Sequence, residues 1–164
     1  MPAAVSNSLH APQTAPERAR AQLITMTAIT LLAVAGVAVS SVSLYEHFAI
    51  SSTSFCDFSQ SFNCDIVNRS AYSMVLGVPV ALIGIVGYLL ILTLATIYRN
   101  QAETPVLLLI ASVGGLGFAL YLTYIEKFVL GVWCVLCLTS LGLICCEVVL
   151  SAAAIRRVKN RADV

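Results

Sequence analysis

Six cysteines are the residues of this chain best suited to chemistry. They form three pairs along the sequence, which are Cys56 with Cys64, Cys134 with Cys137, and Cys145 with Cys146. Paired thiols can exchange disulfides, bind a soft metal or cross-link a fold. A disulfide within Cys-x-x-Cys closes a very small ring and constrains the unfolded chain little, so Cys134 and Cys137 indicate redox chemistry. For Cys56 and Cys64, a structural disulfide and a redox pair are equally open.

The composition indicates which elements position these thiols. Of the 164 residues, 59% are hydrophobic and 10% are charged, whereas soluble domains carry about 25% charged residues. Four stretches contain at most one charged residue and are long enough to cross a bilayer as helices, at residues 23–44, 71–98, 104–125 and 128–155. The sequence therefore predicts an all-α membrane protein with a four-helix bundle. A net charge of +1 gives no argument for a nucleic-acid partner.

The basic residues predict the orientation of the bundle. One side has seven, which are Arg18, Arg20, Arg99, Arg156, Arg157, Lys159 and Arg161, and the other has only Arg69 and Lys127. The positive-inside rule then places both termini in the cytoplasm. Residues 1–22 are expected to be a disordered tail, 23–155 the membrane domain and 156–164 a basic tail. Span 23–44 exceeds the apolar region of a signal peptide and is interpreted as an anchor.

In this orientation, both redox candidate pairs meet at the outer face. Cys56 and Cys64 lie in the loop at 45–70, and Cys134 and Cys137 lie where the fourth span begins. Disulfides persist in an oxidising compartment, and the start of a helix favours a thiolate, which is the attacking species in exchange. Such a pair could relay electrons from a water-side donor to a lipid-soluble acceptor. A Cys₄ zinc site remains an alternative.

Three residues deeper in the fourth span receive other interpretations. Cys145 and Cys146 are expected to be small packing residues with no catalytic part. Glu147 is expected to reach the cytoplasmic boundary or to pair with Arg99, and a functional role for this intramembrane carboxylate remains the alternative.

Three segments resemble the vitamin K epoxide reductase family. Residues 55–64 have its Cys-Asp opening and Cys-x₇-Cys spacing, 68–79 are similar to its entry into the second helix, and 121–137 end in a similar redox motif, Trp-Cys-Val-Leu-Cys. The similarity runs in order over about residues 23–155. It implies a four-helix membrane bundle in which a cysteine-bearing extracytoplasmic loop or half-helix caps a quinone site.

The resemblance also implies a role for each site residue. Cys56 and Cys64 would exchange electrons with a thioredoxin-like partner, Cys64 would attack Cys134, and Cys137 would meet the quinone. Quinone contacts are implied at four positions, which are Ser73, Leu76, Val80 and Leu122.

The activity implied by the resemblance is that of a membrane thiol–quinone oxidoreductase that supports disulfide formation outside the cytoplasm. Menaquinone or ubiquinone would be the electron acceptor, and no metal is expected. A chain of 164 residues leaves no room for the thioredoxin-like domain fused to some relatives, so a separate DsbA-like thioredoxin-fold partner is expected. The resemblance places the protein in a bacterial inner membrane.

Two departures from the animal members bear on an alternative activity, quinone or quinone-epoxide reduction in vitamin K recycling. Ser73 stands where those members have an asparagine, and Leu141 stands where they have a tyrosine. Both changes suit a simple quinone better than an epoxide. The physiological direction of electron flow and the identity of the quinone stay open.

Overall fold

The structure is a bundle of apolar helices. It is a computed structural model that describes residues 15–48, 62–101 and 103–162. The helices are α1 (Ala15–Phe48), α2 (Cys64–Arg69), α3 (Val80–Thr96), α4 (Thr104–Ile125) and α5 (Val135–Ala162). Helices α1, α4 and α5 contain stretches long and apolar enough to cross a membrane, and α3 is a shorter apolar helix of 17 residues. The prediction of an all-α membrane bundle is confirmed.

Helix α1 is longer at both ends than the predicted span at 23–44. It begins at Ala15, inside the segment expected to be a disordered tail, and it ends at Phe48. The part of the expected tail at 1–14 lies outside the described residues, as do 49–61, which include Cys56.

The second membrane helix starts later than the predicted residue 71. Residues 71–79 instead form a 3₁₀ turn (Ala71–Ser73) and a hairpin of strands β1 (Met74–Val75) and β2 (Val78–Pro79). Leu76 and Gly77 make the hairpin turn with φ values of 52° and 82°, the left-handed backbone typical of two-residue hairpin loops. Pro79 then occupies the N-cap of α3, because a proline cannot donate a hydrogen bond within the helix body.

The fourth membrane helix also starts later than predicted, at Val135 rather than at residue 128. Helix α4 continues as a π-helical turn at Glu126–Leu130, and Gly131, with φ at 68°, ends that turn. A residue with a side chain rarely adopts this conformation, so the glycine marks the point where the chain turns. The short connection after it places Cys134 directly before α5.

The four membrane helices contact one another in a ring, in the order α1, α3, α4, α5 and back to α1. Tyr88 of α3 spans the middle of the bundle. A Cβ atom on Gly36 of α1 would lie 2.3 Å from the Tyr88 ring, so the glycine makes room for this side chain. The Tyr88 hydroxyl donates a hydrogen bond to the Ser140 carbonyl oxygen of α5 at 2.9 Å. One side chain therefore joins three helices.

Candidate redox and quinone site

Cys134 and Cys137 lie together at the start of α5. Both are free thiols, and Cys134 is fully buried. The Cys134 Sγ atom accepts a hydrogen bond from the Cys137 backbone N–H at 3.3 Å, as the side chain of an N-cap residue does three positions before its donor. The Cys134 carbonyl oxygen accepts the first intrahelical hydrogen bond shown for α5, from Leu138 N–H at 3.0 Å. The Cys-x-x-Cys spacing thus serves both the redox pair and the helix start.

Glu126 is a site residue that sequence reasoning did not find. Its side chain is 1% exposed, and its Oε2 atom accepts a hydrogen bond from the Cys134 backbone N–H at 3.0 Å. The carboxylate and the sulfur atoms of Cys134 and Cys137 all lie within 4.8 Å of one another. Glu126 opens the π-helical turn, a distortion that often occurs at functional sites. The only sequence signal was an acidic residue at the end of an uncharged span.

Cys64 lies against this pair. It begins α2, is 1% exposed, and forms a disulfide. The Asn63 side chain caps the helix by accepting the Ile66 N–H at 2.9 Å, and the Asn63 backbone N–H donates to the Trp133 carbonyl oxygen at 3.1 Å. Cys64 and Cys134 belong to one buried cluster, although 70 positions separate them in the sequence numbering. The structure therefore brings three of the four predicted redox cysteines together, and Cys56 lies outside the described residues.

A cavity of about 330 Å³ opens beside Cys137 and Glu126. Its wall is mostly apolar, and α3 and α4 each contribute more lining residues than any other helix. Three of the four residues expected to contact a quinone line it, which are Ser73, Val80 and Leu122. Leu76 does not line the cavity: it is fully exposed at the turn between β1 and β2, because the hairpin replaces the expected helix. Of the four expected quinone contacts, Leu76 is therefore the one that the structure places away from the cavity.

The end of the cavity next to α2 is polar. Its wall there includes Ser43 and His47 of α1, Asn68 of α2, and Ser73 of the 3₁₀ turn. The Ser43 hydroxyl donates to Asn68 Oδ1 at 2.9 Å, and His47 Nδ1 donates to the Asn68 carbonyl oxygen. An apolar chamber with polar groups at one end fits a ligand that has an oxygenated ring and a hydrocarbon body, as a quinone has.

The family comparison agrees with this geometry. The model of the Vitamin K epoxide reductase family matches residues 27–152, which is most of the chain. The chain belongs to that family. No curated protein gives a significant match. Membership makes the protein an integral membrane oxidoreductase of a family that is linked to quinones and generally works with thioredoxin-like partners.

The other candidate residues, Cys145, Cys146 and Glu147, lie further along α5 than Cys137. Cys145 and Cys146 are exposed on the helix surface and are free thiols. Glu147 is fully buried, and its two carboxylate oxygens have no hydrogen-bond partner among the described residues. The expectation that Glu147 reaches the membrane boundary or pairs with Arg99 is therefore wrong, because the side chain faces into the bundle.

A Cys₄ metal site, the alternative, would require the Cys64 disulfide to be reduced. Cys64 is in a disulfide, and the sulfur species that binds metals is the thiolate. Glu126, Cys134 and Cys137 offer three ligand atoms within 4.8 Å of one another, one fewer than a tetrahedral structural zinc site uses.

Proposed function

We propose that the protein is a thiol–quinone oxidoreductase that supports disulfide formation outside the cytoplasm. Electrons pass from a reduced DsbA-like thioredoxin-fold partner to Cys56 and Cys64, then to Cys134 and Cys137, and finally to a quinone. The observation that carries the proposal is the single buried cluster of Cys64 and Cys134, next to a cavity lined by Cys137.

The first step joins the two cysteine pairs. The partner's dithiol reduces the Cys56–Cys64 disulfide and leaves as a disulfide itself. The Cys64 thiolate attacks Cys134 Sγ, which breaks the Cys134–Cys137 disulfide and releases the Cys137 thiolate. Cys56 then attacks Cys64, restores the loop disulfide and releases Cys134. Cys56 as the partner of Cys64 is part of this proposal, supported by the disulfide at Cys64 and the four free thiols elsewhere in the described residues.

In the second step, the quinone oxidises the reduced pair of Cys134 and Cys137. Cys134 and Cys137 give up two electrons and two protons and become a disulfide, while the quinone in the cavity becomes a hydroquinone. With Cys64 in a disulfide and both α5 thiols free, the protein holds the two electrons that this step needs. Cys137 is the donor to the quinone because it lines the cavity, whereas Cys134 is buried against Cys64. Menaquinone and ubiquinone are the proposed acceptors.

Substitution of each α5 thiol tests the proposal. Cys134→Ala and Cys137→Ala are each expected to abolish quinone-dependent oxidation of a dithiol by the purified protein, with loss of hydroquinone formation as the readout. Cys145→Ala and Cys146→Ala are matched controls on the same helix, and they should keep full turnover because both thiols are exposed and distant from the site in sequence. Full turnover by the Cys134 and Cys137 variants would refute the proposal.

Trapping tests the order of electron transfer. Cys64→Ala is expected to accumulate a mixed disulfide between Cys56 and the partner, which mass spectrometry would identify. Cys56→Ala is expected to accumulate a Cys64–Cys134 cross-link in the purified protein, visible as a linked peptide pair after proteolysis. Absence of the second cross-link in an oxidised sample would exclude direct exchange between α2 and α5.

The orientation of the site is a further part of the proposal. Placement of both termini in the cytoplasm of a bacterial cell, with the cysteines at the outer face of its inner membrane, is supported by the seven-to-two excess of basic residues. A topology reporter inserted at residue 60 should show a periplasmic location. A cytosolic signal would exclude a role in extracytoplasmic disulfide formation.

Reduction of a quinone epoxide is the alternative acceptor reaction. Ser73 lines the cavity, whereas Leu141, which stands where the animal members have a tyrosine, is not among its described lining residues. Turnover with menaquinone, ubiquinone and vitamin K epoxide, measured side by side, ranks the acceptors. A higher rate with the epoxide than with both quinones would favour vitamin K recycling.

A further inference from the structure

We propose that the side-chain amide of Asn68 donates a hydrogen bond to a carbonyl oxygen of the quinone. This inference rests on the proposed function and adds a residue that sets the position and the chemical selectivity of the acceptor. Asn68 is 6% exposed and lines the cavity. Its Nδ2 atom is buried and has no hydrogen-bond partner among the described residues.

The surrounding contacts explain why this N–H group is left for a ligand. The Ser43 hydroxyl donates to Asn68 Oδ1 at 2.9 Å and so occupies the acceptor end of the amide. His47 Nδ1 donates to the backbone carbonyl oxygen of the same residue. Two residues of α1 thereby fix the orientation of Asn68 through its acceptors, and the amide donor has no partner in the part of the chain that the structure describes. Buried polar groups in folded proteins nearly always have a partner, so an unused donor beside a cavity indicates a ligand.

The chemistry of the cavity selects the kind of ligand. The site needs a hydrogen-bond acceptor near Asn68, a redox-active part near Cys137, and an apolar body along residues such as Ile83, Phe118 and Leu122. A quinone ring carries carbonyl oxygens on an otherwise apolar frame and accepts the two electrons of the thiol pair. A hydrocarbon of the same shape would fill the chamber and leave the Asn68 donor unsatisfied. Asn68 is therefore expected to distinguish carbonyl-bearing ligands from purely apolar ones.

Steady-state kinetics of two variants test this role. Asn68→Leu keeps the approximate shape of the side chain and removes the donor, so the KM for a short-chain naphthoquinone should rise about 2- to 10-fold, the effect of one hydrogen bond. The KM for the dithiol should not change. Ser43→Ala should raise the quinone KM by about 2- to 3-fold, because the amide loses one of the bonds that orient it. Ser41→Ala is the matched control, since its exposed hydroxyl bonds only within α1.

A ligand without oxygen separates a binding role from a structural one. A methylnaphthalene with the same tail is measured as a competitive inhibitor, and its Ki should be the same for the unaltered protein and for Asn68→Leu. An equal rise in the quinone KM and the hydrocarbon Ki would show that Asn68 only shapes the cavity and would overturn the inference. An unchanged quinone KM would overturn it as well, and would mean that a water molecule satisfies the amide.

The same assay distinguishes this inference from the proposed function. If the unaltered protein reduces no quinone, the proposed function fails and the role of Asn68 fails with it. If the unaltered protein reduces quinone and Asn68→Leu has the same quinone KM, only the role of Asn68 fails. Should Asn68→Leu not fold, the comparison of Ser43→Ala with Ser41→Ala decides the question by the same two readouts.

Discussion

Replacement of Glu126 with leucine should weaken the fold and slow turnover more than replacement with glutamine. Glu126 Oε2 accepts the Cys134 backbone N–H at 3.0 Å, and both residues are buried. Glu126→Leu removes this acceptor and leaves the buried Cys134 N–H without a hydrogen-bond partner. Glu126→Gln keeps an oxygen of similar reach, removes the charge and replaces Oε1 with an amide NH₂ group. The pair of variants therefore isolates the hydrogen bond.

The expected loss in the free energy of unfolding follows from the burial of the Cys134 N–H. An unsatisfied buried N–H costs about 1–3 kcal/mol, so the free energy of unfolding of Glu126→Leu should fall by that amount. For a chain of this size, the midpoint of thermal unfolding should fall by about 2–4 °C per kcal/mol. Glu126→Gln should lose up to about 1 kcal/mol, because a neutral acceptor makes a weaker bond than a charged one. Turnover should follow the same order, since a misplaced Cys134 receives the attack of Cys64 less readily.

The assay combines two measurements on each purified variant. Thermal unfolding in detergent reports stability, and dithiol-dependent reduction of a naphthoquinone reports turnover, with Cys145→Ala as the control for a change elsewhere in the protein. If Glu126→Leu matched Glu126→Gln in both measurements, Glu126 would not hold Cys134 in place. The contact in the structure would then have no energetic role.

Three further substitutions test the packing around the site. Gly36→Ala should lower the free energy of unfolding by about 1–3 kcal/mol, because its Cβ would lie 2.3 Å from the Tyr88 ring. Gly87→Ala, which has open space at its Cβ, is the control in the same thermal assay. Glu147→Met should raise the unfolding midpoint, since it removes a buried carboxylate without a described partner, and a lower midpoint would reveal a hidden one. Leu76→Asn should stabilise the turn by about 1 kcal/mol and leave the quinone KM unchanged, whereas a raised KM would restore Leu76 as a quinone contact.

The number of apolar spans and the position of Cys134 and Cys137 side by side at a helix start could be predicted because both are local signals. A stretch without charged residues identifies a membrane helix wherever the rest of the chain lies. The same signal does not show where the helix begins. Residues 71–79 are uncharged, yet Gly77 and Pro79 prevent a helix there, and Gly131 likewise delays the start of α5. Both errors came from reading the length of an apolar stretch without its glycine and proline residues.

The roles of Glu126 and Asn68 could not be predicted, because they depend on contacts between segments. Glu126 reaches Cys134 only because a π-helical turn and Gly131 fold the chain back over eight positions. Asn68 becomes an oriented donor only when Ser43, 25 positions earlier, packs against it. In the sequence, Glu126 stands beside Lys127 and is typical of the charges at the end of a span. Neither a hydrophobic periodicity nor a sequence motif indicates such contacts between segments.

Helix α2 connects the two halves of the proposed electron path. It holds Cys64 at its first position and Asn68 at its fifth, and residues four apart lie on the same side of a helix. Cys64 meets Cys134, and Asn68 faces the cavity that Cys137 lines. The cap that Asn63 provides to Ile66 N–H supports both positions. Loss of this cap should cost about 1 kcal/mol of helix stability.

A substitution at Asn63 should therefore affect both half-reactions, unlike one at Asn68. Asn63→Ala loosens α2 as a whole, so it should slow the exchange between Cys64 and Cys134 and also raise the quinone KM. Asn68→Leu should change only the reaction with the quinone. Single-turnover measurements can separate the two, by following thiol exchange without quinone and hydroquinone formation from a pre-reduced protein. If Asn63→Ala slowed only one of the two steps, α2 would not act as one rigid element, and Cys64 and the quinone site would be positioned independently.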